Sequence, residues 1–318
     1  MACFDVFNGD ADGLCALQQL RLADPREATL VTGVKRDIAL LERVDAFAGD
    51  EVTVLDISLD KNRDALRGLL DRGAKVAYFD HHYAGDIPDH PRLDAHIDTR
   101  PDRGTSLLVD DQLDGRFRAW AVVGTFGDNF DATARKAAGP LDLGADALDR
   151  LRELGILLNY NGYGAAVADL HLPPDELYRR IAPYPDPLDF MACDETFELL
   201  RNGYAEDMAQ ARAAKPVLDT SGHLVVILPA APWARRVSGP YANELAQSDP
   251  RRANALLTEL ETGDYLVSVR APLSRPNGAD ALCRQFETGG GRKAAAGINR
   301  LPSDQLDWFI AAFQAAFR

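Results

Sequence analysis

Short apolar runs alternate with stretches of helical spacing through the first 80 residues. Cys3 to Phe7 has strand character, and Gly13 to Leu22 follows with Leu14, Leu17 and Leu20 at helical spacing. Thr29 to Thr32 is a strand candidate, and Val52 to Leu55 is a strand that stops at Asp56. Leu59 to Leu70 predicts a helix closed by Gly73, and Lys75 to Phe79 the next strand. Strand, helix and strand at this spacing imply crossover connections and a parallel sheet flanked by helices.

From about Arg116 to Ile181 the pattern is mainly helical, interrupted at Pro173 and Pro174. Pro183, Pro185 and Pro187 cannot all lie inside a helix, so they mark an end. Asp194 to Ala213 has the pattern of a connecting helix. Alternation resumes at His223 to Leu228, with a helix near Tyr241 to Ala246, a strand at Tyr265 to Val269 and an amphipathic helix from Ser303 to Phe317. The expected organisation is an α/β domain over residues 1–190, a helical linker over 191–217 and a smaller α/β domain over 218–318.

Composition narrows this picture. The chain has 318 residues, 46% hydrophobic and 26% charged, which is a globular balance with enough apolar material for two cores. Its net charge of −14 excludes broad, non-specific binding to long nucleic acid, which needs a basic surface. No apolar segment approaches the roughly 18 residues of a membrane span. The first residues lack a basic stretch followed by an apolar run, so no membrane partner and a cytoplasmic location are expected. Cys3, Cys15, Cys193 and Cys283 form no C-x-x-C pair and are expected to be free thiols.

The candidate chemistry lies at strand ends. Asp10 and Asp12 follow the first strand, Asp56 the third, and Asp80, His81 and His82 the fourth; Asp128 closes a helical run. In an open parallel sheet, ligands bind beyond the carboxyl ends of the strands. Carboxylates with imidazole form a hard, mixed oxygen and nitrogen site that suits Mn²⁺, with Mg²⁺ or Fe²⁺ as alternatives. Asp10, Asp12, Asp56 and Asp128 gathered without cations would raise one another's pKa sharply. Two divalent ions, roughly 3.5–4 Å apart, would balance them and suit phosphoryl hydrolysis. Further on, Gly289, Gly290 and Gly291 lead into Arg292 and Lys293, a loop pattern whose backbone can approach an anion. Ser268 and Arg270 on the preceding strand add donors for phosphate.

With these motifs in order, the chain resembles the DHH phosphoesterase superfamily with a DHHA1 C-terminal domain. The residues that carry the resemblance are Asp10 to Gly13, Asp56, Asp80-His81-His82, Gly124 to Asp128, Leu158 to Tyr163, Val267 to Arg270 and Gly289 to Gly297. The resemblance implies two α/β domains with an active-site cleft between them, and Mn²⁺-dependent hydrolysis of phosphoester or phosphoanhydride bonds. It implies that Asp10 and Asp56 hold one ion, with Asn8 as a neutral ligand. It places the other on Asp12, Asp56, His81 and Asp128, with Asp56 bridging. His82 would contact the phosphate or leaving group, and Asp80 would orient the imidazoles from behind. Ser268, Arg270, Gly289, Gly290, Gly291 and Arg292 would grip the substrate.

The chain departs from the family pattern at Val6, where many relatives carry His, and at Asn8, where others carry Asp. Arg292 replaces a common His, and Tyr163 stands where RecJ-like members tend to place Arg. The resulting expectation is a metal-dependent phosphoesterase acting on a short single-stranded oligonucleotide or small nucleotide. A pyrophosphatase or polyphosphatase on the same metals is an alternative, as is a nucleotide-binding sensor with a degraded first metal site. A homodimer stays open.

Overall fold

The structure, a computed structural model, describes residues 1–318 and divides into two compact units, Met1–Asn202 and Gly203–Arg318. In the first unit, strands β1 (Cys3–Asn8), β2 (Thr29–Gly33), β3 (Glu51–Leu55), β4 (Lys75–Asp80) and β5 (Leu93–Ile97) form one parallel sheet in the order β2-β1-β3-β4-β5. Its helices are α1 (Ala11–Ala23), α2 (Leu59–Asp71), α3 (Thr105–Gln112), α4 (Arg118–Gly127), α5 (Asp131–Ala138), α6 (Ala145–Asn161), α7 (Pro174–Ile181) and α8 (Pro187–Cys193). Helix α9 (Glu195–Ala213) crosses the division between the units.

Burial explains why these strands carry apolar residues on both faces. Val6, Val52, Val54, Val76 and Tyr78 pack against Leu59, Leu66, Leu69 and Leu70 around α2, and against Leu40 and Leu41. The other face is covered by α1 and α3, which pack in turn on α4. Strand β5 is not predicted by its sequence. Leu93-Asp94-Ala95-His96-Ile97 is a short, half-buried edge strand without strong alternation, held by its parallel register on β4.

The order of the sheet decides where a site can form. The chain leaves β1 through α1 to β2 on one side, then returns past β1 to β3 on the other. That reversal opens a crevice between the carboxyl ends of β1 and β3. Asp10 and Asp56 stand just beyond those two ends.

The second unit holds a mixed sheet in the order β10-β11-β9-β8-β7-β6, from β6 (Pro216–Asp219), β7 (His223–Leu228), β8 (Ala253–Glu259), β9 (Tyr265–Arg270), β10 (Gly289–Gly291) and β11 (Ala295–Leu301). Only β7 and β8 pair in parallel, joined through α10 (Pro232–Ser248). Helices α11 (Ala279–Cys283) and α12 (Leu306–Ala316) complete the unit. Val225, Ala255, Leu257, Val267, Val269 and Ile298 form its core with Phe309 and Phe313 of α12.

The glycine-rich stretch differs from the expected loop. Gly289, Gly290 and Gly291 form a strand that pairs antiparallel with Ile298, Gly297 and Ala296. Arg292 and Ala295 exchange backbone hydrogen bonds of 2.9 and 3.2 Å, which closes a hairpin around Lys293 and Ala294. Glycine or alanine at Gly290, Gly291, Ala296 and Gly297 lets the backbones pair closely there, while Ile298 packs into the core. No helix of the protein is long and apolar enough to cross a membrane.

Candidate metal centre

Each acidic side chain at the crevice is aimed by the backbone that follows its strand. Asp10 caps α1, and its Oδ1 accepts from the Asp12 and Gly13 amides at 3.1 Å each. Asp12, fully buried, accepts from the Thr105 and Ser106 amides at 2.6 and 2.9 Å. These are the free N–H groups at the start of α3, where the helix dipole also favours a carboxylate. Gly104 makes this approach feasible, because a Cβ there would lie 2.9 Å from both Asp12 oxygens.

Asp56 takes the left-handed conformation, φ 61°. Among non-glycine residues Asp is one of the few that visits this region readily. The turn is pinned by its amide, which donates to Phe79 O at 3.0 Å, and by Thr105 Oγ1, which donates to Asp56 Oδ1 at 3.0 Å. Asp128 sits at the C-terminal end of α4.

These residues converge on His81. Its Nε2 lies 3.4 Å from Asp56 Oδ1, 3.6 Å from Asp128 Oδ2 and 4.0 Å from Asp12 Oδ2. Donor atoms around an ion at about 2.1 Å stand roughly 3 to 4 Å apart, so this set has the size of a divalent-ion site. Two overlapping groups qualify, Asp12 with His81 and Asp128, and Asp56 with His81 and His82. His82 Nδ1 is 2.7 Å from Asp80 Oδ1, while its side chain is 45% exposed.

Charge is concentrated here. Burial pushes the Asp56 carboxyl well above the usual carboxylate range, the Asp10 and Asp12 charges add to this, and His81 opposes it. Burial and the neighbouring aspartates likewise raise Asp128, against Lys35 and His81. For His81, burial disfavours the imidazolium, but the hydrogen bond to Asp56 and the charges of Asp56, Asp12 and Asp128 push its pKa up to about 10. A site so rich in carboxylate holds protons tightly until a cation replaces them.

One cation is part of the chain. Lys35, in the loop after β2, extends its ammonium to Asp10 Oδ2 at 2.5 Å, Asn159 Oδ1 at 2.9 Å and Asp128 Oδ1 at 3.1 Å. Burial disfavours this charge, but Asp10 and Asp128 hold its pKa well above the ordinary lysine value. The same contact brings the Asp10 carboxyl below its usual range despite its burial. Sequence reasoning did not single out Lys35, because its partners lie 25, 93 and 124 residues away. Thr105 and Ser106 were also missed, since they act largely through backbone amides.

The remaining candidates fall elsewhere. Asn8 donates through Nδ2 to Lys35 O at 3.3 Å. Asn161, the last residue of α6 and part of the Leu158 to Tyr163 stretch, ties the chain at His171 and Leu172. In the second unit, Ser268 lies on β9 between Leu256 of β8 and Gly297 of β11. The Arg270 Nε donates to Asn243 Oδ1 of α10 at 2.9 Å. Arg292 is exposed at the hairpin turn.

Neither a protein-family model nor a curated protein matches the sequence. Solved structures do match. An exonuclease RecJ bound to manganese aligns with 99% of this chain and 89% of its own, at 19% identity and a TM-score of 0.60. RecJ from Thermus thermophilus, in complex with Mn²⁺, aligns over 99% of this chain and 51% of its own, at 20% identity and a TM-score of 0.57. The pGpG-specific phosphodiesterase PggH from Vibrio cholerae aligns over 99% and 100%, at 14% identity and a TM-score of 0.55. RecJ and PggH are DHH-superfamily proteins, and this chain shares their fold.

Proposed function

We propose that the chain is a divalent-metal-dependent phosphoesterase that hydrolyses short oligonucleotides or small nucleotide phosphodiesters. The observation that carries this reading is the convergence of Asp12, Asp56 and Asp128 on His81 Nε2 at the reversal point of the sheet. A divalent ion bound there, Mn²⁺ by the chemistry of the donors, supplies Lewis acidity and a water of lowered pKa. The fold neighbours act on nucleic acid or on pGpG, which supports a nucleotide substrate. The net charge of −14 favours a short one.

The protein's own groups have separable tasks. The Thr105 and Ser106 amides fix Asp12, and Thr105 Oγ1 fixes Asp56, so the carboxylates meet the ion without reorganising. His82, held at Nδ1 by Asp80 and half exposed, is the group placed to contact the phosphate or donate a proton to the leaving oxygen. Ser268, Arg270, Gly289, Gly290, Gly291 and Arg292 are assigned to substrate binding, on the chemistry of an arginine-bearing strand beside a glycine hairpin.

The test is hydrolysis with Mn²⁺ across pGpG, other dinucleotides, cyclic dinucleotides, a short single strand, adenosine 3′,5′-bisphosphate and pyrophosphate. Cleavage of a dinucleotide or short strand that EDTA abolishes is the expected result. Hydrolysis of none of the nucleotides, or of pyrophosphate alone, rules the reading out. In the same samples, Mn²⁺ at about 100 times its Kd should stabilise the protein by about 2.7 kcal/mol, read as a rise in Tm.

Asp80→Asn probes the outer layer of the site. Loss of the charge behind His82 is expected to lower kcat by about 10- to 100-fold, with KM little changed. Steady-state kinetics decides this, and an unchanged kcat would remove Asp80 from the machinery.

A further inference from the structure

We propose that the Lys35 ammonium takes the place of one of the two divalent ions, so that the chain binds a single ion, at Asp12, Asp56, His81 and Asp128. For its catalytic meaning this rests on the proposed phosphoesterase function; as a statement about metal binding it stands on the geometry of Lys35.

All three ammonium protons are engaged, by Asp10, Asn159 and Asp128. The main chain of Lys35 is pinned on both sides. Its N–H donates to Gly162 O at 2.8 Å, and its carbonyl accepts from Asn8 Nδ2 at 3.3 Å. Asn8 therefore supports the lysine. Such a cation is built in, and its neighbours hold it in one position.

The ligands left for a second ion are too few. Asp10 has given Oδ1 to two backbone amides and Oδ2 to Lys35. Val6 is fully buried in the apolar core under the sheet and offers no donor. Asn8 Oδ1 is buried without a partner, but it is one neutral oxygen. Asp56 would have to be shared. Divalent oxygen sites need about six ligands, with water completing what the protein lacks, and a buried pocket beside an ammonium is a poor place for a second dication.

Charge leads the same way. One divalent ion and one ammonium leave the four aspartates a single charge short of neutrality. A second divalent ion would overshoot while crowding three cations together. The fixed ammonium also ties Asp10 to Asp128, leaving Asp128 Oδ2 facing His81.

The experiment counts ions on the intact chain. Protein equilibrated with Mn²⁺ is assayed by elemental analysis after dialysis and by electron paramagnetic resonance. The expected result is about one Mn²⁺ per chain, with the spectrum of an isolated ion. Two ions per chain with a spin-coupled spectrum would overturn the proposal, as would no bound Mn²⁺. In the triple variant Val6→His, Asn8→Asp, Lys35→Ala, stoichiometry is expected to rise from one to two. A folded triple variant that still binds one ion counts against Lys35 as the excluding group, and the wild-type count decides if the variant does not fold. The count needs no substrate. A chain that binds one Mn²⁺ and hydrolyses nothing defeats the proposed function alone, whereas a chain that cleaves dinucleotides with two ions defeats this inference alone.

Discussion

Replacing Asp56 by asparagine is expected to lower metal-dependent hydrolysis by about 10³-fold or more, a loss of roughly 4 kcal/mol in transition-state stabilisation, while making the metal-free protein more stable. Asp56 Oδ1 lies 3.4 Å from His81 Nε2 and 4.0 Å from His82 Nδ1, so it faces both imidazoles of the site. Asparagine tolerates the left-handed backbone at φ 61° and keeps an oxygen for Thr105 Oγ1. The variant thus isolates the charge. That charge is costly without metal, because burial and the Asp10 and Asp12 carboxylates raise the Asp56 pKa well above its usual value. An acid whose folded pKa exceeds its unfolded one loses stability as pH rises above the ordinary carboxylate range. Removing it should return about 1 kcal/mol, a Tm increase of roughly 2–4 °C in EDTA. Mn²⁺ should then raise the Tm of the wild type and leave the variant nearly unmoved. Activity within tenfold of wild type would show that the bound ion does not depend on Asp56.

The same site shows which features a sequence can reveal. Asp10, Asp12, Asp56 and Asp80-His81-His82 were legible because each follows an apolar strand, and the strands set the position of the acids. The parallel sheet was legible for the same reason. Strand β8 was not, since Ala253-Asn254-Ala255-Leu256-Leu257 is rich in helix formers and becomes a strand only by burial between β7 and β9. The hairpin at Gly289 to Gly297 reads as a loop in the sequence because three glycines in a row weaken a strand pattern, and pairing with β11 overrides that preference. Lys35 was invisible for a deeper reason. Its loop, Val34-Lys35-Arg36-Asp37, has the composition of a solvated turn, and only the tertiary fold brings Asp128 and Asn159 to it.

That dependence on helix packing makes Gly127→Ala a damaging substitution outside the acidic cluster itself. Gly127 ends α4 where it crosses α1 and α6. A methyl group there would fall on the Ala11 Cβ and 3.0 Å from Gly155 O, neither of which is a flexible side-chain end. Alanine is the better helix former by about 1 kcal/mol, yet overpacking of about 1–3 kcal/mol or more should exceed it. The net loss expected is about 2 kcal/mol, a fall in Tm of roughly 4–8 °C. The second consequence is functional. Helix α1 carries Asp10 and Asp12 at its start and α4 carries Asp128 at its end, so forcing the two apart separates the ligands that Lys35 and His81 join. A displacement approaching 1 Å is enough to cost about 10²-fold in a preorganised site, and Mn²⁺ affinity should weaken together with Tm. Gly139→Ala is the matched control, since a Cβ there meets nothing within 4 Å. If Gly127→Ala melts and binds Mn²⁺ as the control does, the close crossing of α1 and α4 is not what holds Asp12 and Asp128 together.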